Sequence, residues 1–241
     1  IYTMKQVRLY QNTLLKVGDH LILDEYCSHH LIKVLRFPQG KNITLFNGDG
    51  INYSAKVISS KKKCEVLILT KEQNLSESKL NLTLAQGIAK GEKMDFLIQK
   101  AVELGVNKIV PIMSEHCVVK LKGEKLTKRQ LHWQKIVFGA CEQSGRSIVP
   151  NVETPITLND FLDQTTTNGF ILHHRSTQTL LELEHMNEAT ILIGPEGGLS
   201  EKEIEQATSS GYQSLLLGSR VLRTETASLV AIANMQLLWG S

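Results

Sequence analysis

Apolar and polar positions follow two rhythms along this chain. Up to about Glu72 the apolar residues come in short runs broken by tight polar turns. "HLILDE" reads as one extended run, and "NITLFNGDGINYSAKVISSKKKCEVLIL" reads as strand, turn, strand, turn, strand. Asn47-Gly48-Asp49-Gly50 is a strong hairpin signal, because Gly and Asn tolerate the positive φ that hairpin turns need. Ser28 is placed to cap a short helix through "HHLIKVLR", with Leu31, Val34 and Leu35 on one face. This pattern predicts a small β-barrel over residues 1–73. "KEQNLSESK" is polar and without period, and predicts a linker at 74–79.

From Leu80 the pattern alternates between strand and helix periods. "LNLTLAQ", "VNKIVPIM", "GFILHH", "ATILIG" and "SLLLG" read as strands. Met94, Leu97, Ile98, Ala101 and Val102 share one helical face, and Gly105 is a natural terminator. Thr127 is expected to cap a long helix that Gly145 ends. Ser200 and Glu203 have capping-box spacing ahead of a helix closed by Gly211. A last helix, about Glu225 to Trp239, is apolar nearly all round, which suits a core or a subunit interface. Strand–helix alternation over 80–241 predicts an α/β domain with a mostly parallel sheet covered by helices.

Composition narrows the class. The chain has 241 residues, 41% hydrophobic and 21% charged, the balance of a globular protein. No apolar run approaches the ~20 residues of a membrane span. The stretch "IYTMKQVRLYQN" has no signal-peptide core, so a cytoplasmic location is expected. A net charge of +3 does not by itself indicate nucleic acid, and Lys61-Lys62-Lys63 fits a solvated turn. The four cysteines, Cys27, Cys64, Cys117 and Cys141, lack zinc-site spacing; free buried thiols and no metal site are expected.

Chemistry belongs beyond the carboxyl ends of the strands of an open α/β sheet. "ILHH", "ILIGPEGG" and "LLLGSRVLRTETA" each follow an apolar strand. Neither glycine loop has the Lys-Ser/Thr of a phosphate loop, and "AQGIAKG" does not match a dinucleotide fingerprint. Glu196, inside the glycine turn, would repel a polyphosphate and suits hydroxyls, ring nitrogens or a cation better. The same glycines would also suit a tight loop that needs only positive φ. His173 and His174 fit one core and one surface histidine as well as a site. Thr224 is a good helix cap and Glu225 suits a first helical turn, but Arg220 and Arg223 beside a helix N-terminus call for a bound anion.

Together these segments resemble a known family. "LIGPEGGLSEKEI", "LGSRVLRTETA", "KGEKMDFLIQKAVELGV", "WQKIVFGACEQSGR" and "HHLIKVLR…G…ITLFNGDG" are similar to the bacterial 16S rRNA (uracil-N3)-methyltransferases of the SPOUT superfamily, in the same order over nearly the whole chain. The resemblance implies a trefoil-knotted methyltransferase domain after a PUA-like RNA-binding barrel, a homodimer, S-adenosylmethionine as methyl donor and 16S rRNA of the small ribosomal subunit as substrate. It implies cofactor contacts from Leu172 and His173, from Gly194, Pro195, Glu196, Gly197 and Gly198, and from Leu217, Gly218, Arg220, Leu222, Arg223, Thr226 and Ala227. The RNA-facing candidates are Arg8, His30, Arg36, Lys90 and Arg146. Methylation of uridine N3 builds negative charge on the base, for which Arg223 and Arg146 are candidates, with Glu225 to accept a proton or orient an arginine. The base must be unpaired or flipped out to react. Ala89, His116 and Lys41 stand where the family often has Pro, Arg and Asp. A methyltransferase for another rRNA or tRNA position, a non-catalytic RNA-binding protein and a nucleotide hydrolase are the competing readings; the last lacks its lysine.

Overall fold

A computed structural model of the chain describes residues 6–60, 62–164 and 168–241, so Lys61 of the lysine run lies outside the described residues. The chain divides into two compact units. One holds the residues up to Glu77 together with Cys141–Val149; the other holds Ser78–Ala140 and Pro150–Ser241.

In the first unit, β1 (Arg8–Tyr10), β2 (His20–Ile22), β3 (Asn42–Phe46), β4 (Ile51–Ser60) and β5 (Cys64–Gln73) form a five-stranded sheet in the order β1-β3-β4-β5-β2. Only β1–β3 is parallel; the other pairs are antiparallel. The β3–β4 turn is the predicted one: Gly48 and Gly50 have φ of 99° and 82°, and Asp49 accepts from the Ile51 amide and the Tyr53 hydroxyl. Leu9, Leu23, Leu31, Ile43, Leu45, Val57, Val66 and Ile68 share one core. β5 runs on through Lys71–Gln73, paired with β4, so the first residues of the polar "KEQ" stretch are strand. No apolar alternation marks them because both faces there are exposed.

The short helix differs from its sequence pattern. α1 (Glu25–His29) starts earlier, capped by Asp24, whose carboxylate accepts from the Cys27 amide at 2.7 Å. Ser28 is therefore inside the helix, buried, and bonds Leu23 O and the Cys64 amide. α1 continues into a π-helical turn, His30–Val34. The wider turn changes the period, so Leu31 is buried while Val34 and Leu35 are exposed. It ends at Arg36, which holds a φ of 47°, a left-handed conformation usually left to glycine.

In the second unit every sheet pairing is parallel. The elements are β6 (Asn81–Gly87), α2 (Glu92–Glu103), β7 (Lys108–Met113), α3 (Glu124–Ser144), β8 (Asn151–Val152), β9 (Ile156–Thr157), α4 (Leu158–Leu162), β10 (Gly169–Leu172), β11 (Glu188–Ile193), α5 (Glu201–Ser209), β12 (Gln213–Leu215) and α6 (Thr224–Trp239). The strand order is β12-β10-β11-β6-β7-β8, with β9 also on β7. Chain order reverses where β11 meets β6, the kind of position at which open α/β sheets bind ligands. The α2 face Met94, Leu97, Ile98, Ala101 and Val102 is buried as predicted, and Gly105 follows at φ 96°. α3 begins before Thr127, which is therefore exposed inside the helix and not its cap. Cys141–Val149, predicted with the second domain, sides with the first unit. It is bonded there: Asn74 Nδ2 donates to Gly145 O at 2.7 Å, and Glu142 accepts from the Tyr10 amide at 3.0 Å.

All four cysteines are free and buried. Burial pushes the Cys141 thiol up to about 12, so it stays protonated and unreactive at neutral pH. Among the described residues no helix is long and apolar enough to cross a membrane, and no group of three or more His, Cys, Asp or Glu is placed to hold a metal ion.

Candidate functional site

β10 lies between β11 and β12, and parallel pairing carries the carboxyl ends of all three to the same edge of the sheet. The segments that follow them enclose a cleft of about 560 Å³. Leu172 and His173 come from the first segment, Gly194–Gly198 from the second, and Leu217, Gly218, Arg220, Leu222, Arg223, Glu225 and Ala227 from the third. Thr226 is exposed and outside the lining. Lys93, His174, Glu201 and Thr224 also line the cleft. No local sequence signal marks Lys93, which only the fold carries there.

The glycines of the second segment are required for more than φ. Gly198 alone among them has a positive value, 71°. A Cβ on Gly194 would lie 2.7 Å from the Gly198 carbonyl carbon, and one on Gly197 would lie 2.9 Å from His116 Cβ. Such distances leave no room for a side chain. Gly87, at the end of β6, meets Pro195 just as closely. The loop is thus folded tightly on itself and against β6.

Glu196 has a different task from the one its sequence position suggests. Its carboxylate accepts from the Lys90 amide at 3.0 Å and pairs with Lys93 Nζ at 3.6 Å. Burial alone would raise its pKa, but the Lys90 amide, its own amide and Lys93 outweigh that and hold it below the ordinary carboxylate value. It ties the glycine loop to the start of α2. His116 Nδ1 lies 3.0 Å from Gly197 O. A carbonyl only accepts, so Nδ1 carries the proton.

Two polar atoms of cleft residues, His173 Nε2 and Glu225 Oε2, are out of contact with water and have no partner among the described residues. Buried polar atoms are ordinarily satisfied, so orphans along a cleft are suited to the polar groups of a ligand. Burial lowers the His173 pKa, helped by His174 and Arg175 and opposed by Glu201, which favours the neutral ring.

The third segment enters α6 without a side-chain cap. Arg223 is the N-cap residue and makes no capping bond, while Thr224 turns its hydroxyl to Gly194 O at 2.6 Å. Thr224 is therefore a bridge between two cleft segments and not the predicted cap. Arg220 and Arg223 are exposed, and among the described residues neither has an acceptor.

The RNA-facing candidates separate. Arg146 is 4% exposed, and its guanidinium makes paired bonds to Glu77, Nε to Oε1 at 3.0 Å and Nη2 to Oε2 at 2.6 Å. Arg8 donates to Asn52 Oδ1, Arg146 O and Ser147 Oγ and lies over the Phe46 ring. Arg146 is buried and Arg8 half-buried, and both brace the first unit, although Arg8 Nε is buried without a partner among the described residues. Arg146, the candidate for catalysis and RNA contact, and Arg8, the candidate for RNA contact, thus have their guanidinium bonds within the chain. His30, half-buried, stacks on exposed Tyr26 at 6.1 Å, and Arg36 is exposed. In the second unit Lys90 is exposed, with its amide on Glu196.

This arrangement recurs in known proteins. A family model described as an RNA methyltransferase domain matches residues 76–236, and one described as an RNA methyltransferase PUA domain matches 28–69. The fold is that of the RNA methyltransferases. Ribosomal RNA small subunit methyltransferase E of Buchnera aphidicola is 35% identical over 97% of this chain and 96% of its own length. The enzyme of that name from Neisseria gonorrhoeae, solved bound to S-adenosyl methionine, is 42% identical over 98% of each chain, with a TM-score of 0.91. A Legionella pneumophila protein solved with the same cofactor is 37% identical over 99% of this chain and all of its own, with a TM-score of 0.95. This chain belongs to the ribosomal RNA small subunit methyltransferase E family.

Proposed function

We propose that the chain methylates N3 of a uridine in 16S rRNA of the small ribosomal subunit, in the cytoplasm, with S-adenosylmethionine as donor. The observation that carries this is the three-walled cleft at the β10–β12 ends with its orphaned His173 and Glu225 atoms, in a chain so similar to cofactor-bound relatives. The donor supplies an electrophilic methyl carbon on a sulfonium sulfur. Leu172, His173, Gly194–Gly198, Leu217, Gly218, Arg220, Leu222, Arg223 and Ala227 hold and shape the binding cleft. Glu196 acts indirectly, by anchoring the loop to α2. Alignment of the two reactants is the largest service the walls provide.

Arg223 and Arg220 stand free at the mouth, suited to negative charge growing on the uracil oxygens. Glu225 is the proposed proton acceptor or the residue that orients Arg223. His30, Arg36 and Lys90 are the proposed RNA contacts. An observed left-handed arginine is the sort of backbone strain that collects at functional positions. The outer face of α6, with Leu229, Val230, Ala233 and 77%-exposed Leu237, supports a second copy of this chain as partner. Sedimentation of Leu237→Asp is expected to show monomer.

Mass spectrometry of 16S rRNA from cells lacking the gene tests the activity. One 3-methyluridine is expected to disappear; an unchanged 16S modification profile overturns the assignment.

A further inference from the structure

The cleft walls meet behind the lining at a fully buried side chain, Gln86, at the end of β6. Its Nε2 donates to Gly87 O at 3.0 Å and lies 3.3 Å from Gly194 O and 3.0 Å from Thr224 Oγ1. Its Oε1 accepts from Ser228 Oγ at 2.6 Å. Surrounding carbonyls fix the amide orientation, since only the nitrogen can face them. Thr224 Oγ1 accepts from Gln86 and donates to Gly194 O, so that its hydroxyl links β6 to the second wall from the start of α6. Ser228 Oγ also lies 2.8 Å from Thr224 O, one turn back along α6.

Each member is buried, so every bond replaces one that water cannot supply. Gly194 opens the second wall and Thr224 closes the third. We propose that Gln86, Thr224 and Ser228 are positioning residues that couple these two walls into one unit, so that loosening one loosens both and weakens the methyl donor. The coupling stands on the hydrogen bonds alone; its effect on the donor rests on the proposed function.

Thr224→Val removes the hydroxyl at the same shape, Thr224→Ser keeps it, and Ser228→Ala acts from outside the cleft lining. Hydrogen exchange is read on the full chain without ligand. In Thr224→Val and Ser228→Ala, amides of 194–200 and of 220–227 are expected to exchange on the order of tenfold faster, with 173–178 unchanged and Thr224→Ser like the parent. A response confined to one wall, a uniform rise over the chain, or equal behaviour of Thr224→Ser and Thr224→Val overturns the coupling.

Calorimetric titration with S-adenosylmethionine then reads the consequence. Affinity is expected to fall about tenfold in Thr224→Val and Ser228→Ala and to return in Thr224→Ser. Unchanged affinity with both walls loosened overturns the link to binding. A parent chain that does not bind the donor sinks the cofactor assignment, and the exchange result still decides the coupling.

Discussion

The turn at 145–147 in the first unit and the loop at 218–225 in the second each place arginine at a helix end, in opposite circumstances. Arg146 follows the C-terminus of α3, where the helix dipole favours a cation, and its fork is filled by Glu77. Arg223 precedes the N-terminus of α6, where the dipole disfavours a cation, and has no partner among the described residues. Side-chain charge is the same, but one donor set is consumed by the protein and the other is presented to solvent. Arg223 is a candidate by its place beside a helix N-terminus, and Arg146 only by the family resemblance. What separates the two is whether the hydrogen bonds of the guanidinium are already made.

That contrast can be broken at either end. The largest effect is expected from Arg146→Ala, which leaves the Glu77 carboxylate mostly buried without its cation and should lower stability by about 3–5 kcal/mol. Chemical denaturation measures it, and parental stability would show that the pair braces nothing. Arg223→Ala should behave in reverse. Methylation per folded molecule is expected to fall on the order of a hundredfold, while the melting temperature holds or rises because a cation leaves the positive end of α6. Should Arg223→Ala unfold and Arg146→Ala fold but fail to methylate, the assignment of roles would have to be exchanged.

Gly197→Val sharpens the comparison from the binding side. Its side chain would meet His116, and affinity for S-adenosylmethionine is expected to drop about tenfold or more in a calorimetric titration. Arg8→Met keeps most of the packing on Phe46 but loses the bonds to Asn52 and Ser147; a loss of about 1–2 kcal/mol is expected, with methylation by the folded fraction unchanged.

The smallest expected effect is on pH dependence. Folding lowers the His173 pKa, first through burial. As pH falls below its unfolded value of about 6.5, the unfolded chain takes up the proton first. The stability contribution is therefore complete above that pH and is lost on acidification until folded His173 protonates as well. His173→Asn should flatten this part of the stability profile; an identical slope would remove His173 as its source.

Much of this molecule can be read from local pattern. The Asn47–Gly50 hairpin, the buried face of α2, the Ser200–Glu203 capping box and the terminators Gly105, Gly145 and Gly211 all depend on residues within a few positions of each other. Misread elements had a local candidate displaced by a competitor. Ser28 lost its cap position to Asp24, and Thr224 gave its hydroxyl to a carbonyl thirty residues away in sequence. Gln86 carried one unused signal: it is polar at the buried phase set by Leu82 and Leu84.

By itself the sequence determined the two rhythms, the strand ends that carry glycine and arginine, and the resemblance that names the family. These follow from periodicity, turn chemistry and residue order, which are properties of neighbours along the chain. Only the tertiary structure decided that Cys141–Val149 belongs to the first unit, that Glu196 anchors a loop, that Arg146 is buried against Glu77 and that Gln86 joins two walls of the cleft. Those outcomes depend on which partner reaches a polar group first when the chain has folded, and polar groups taken out of water must pair with whatever the fold brings to them.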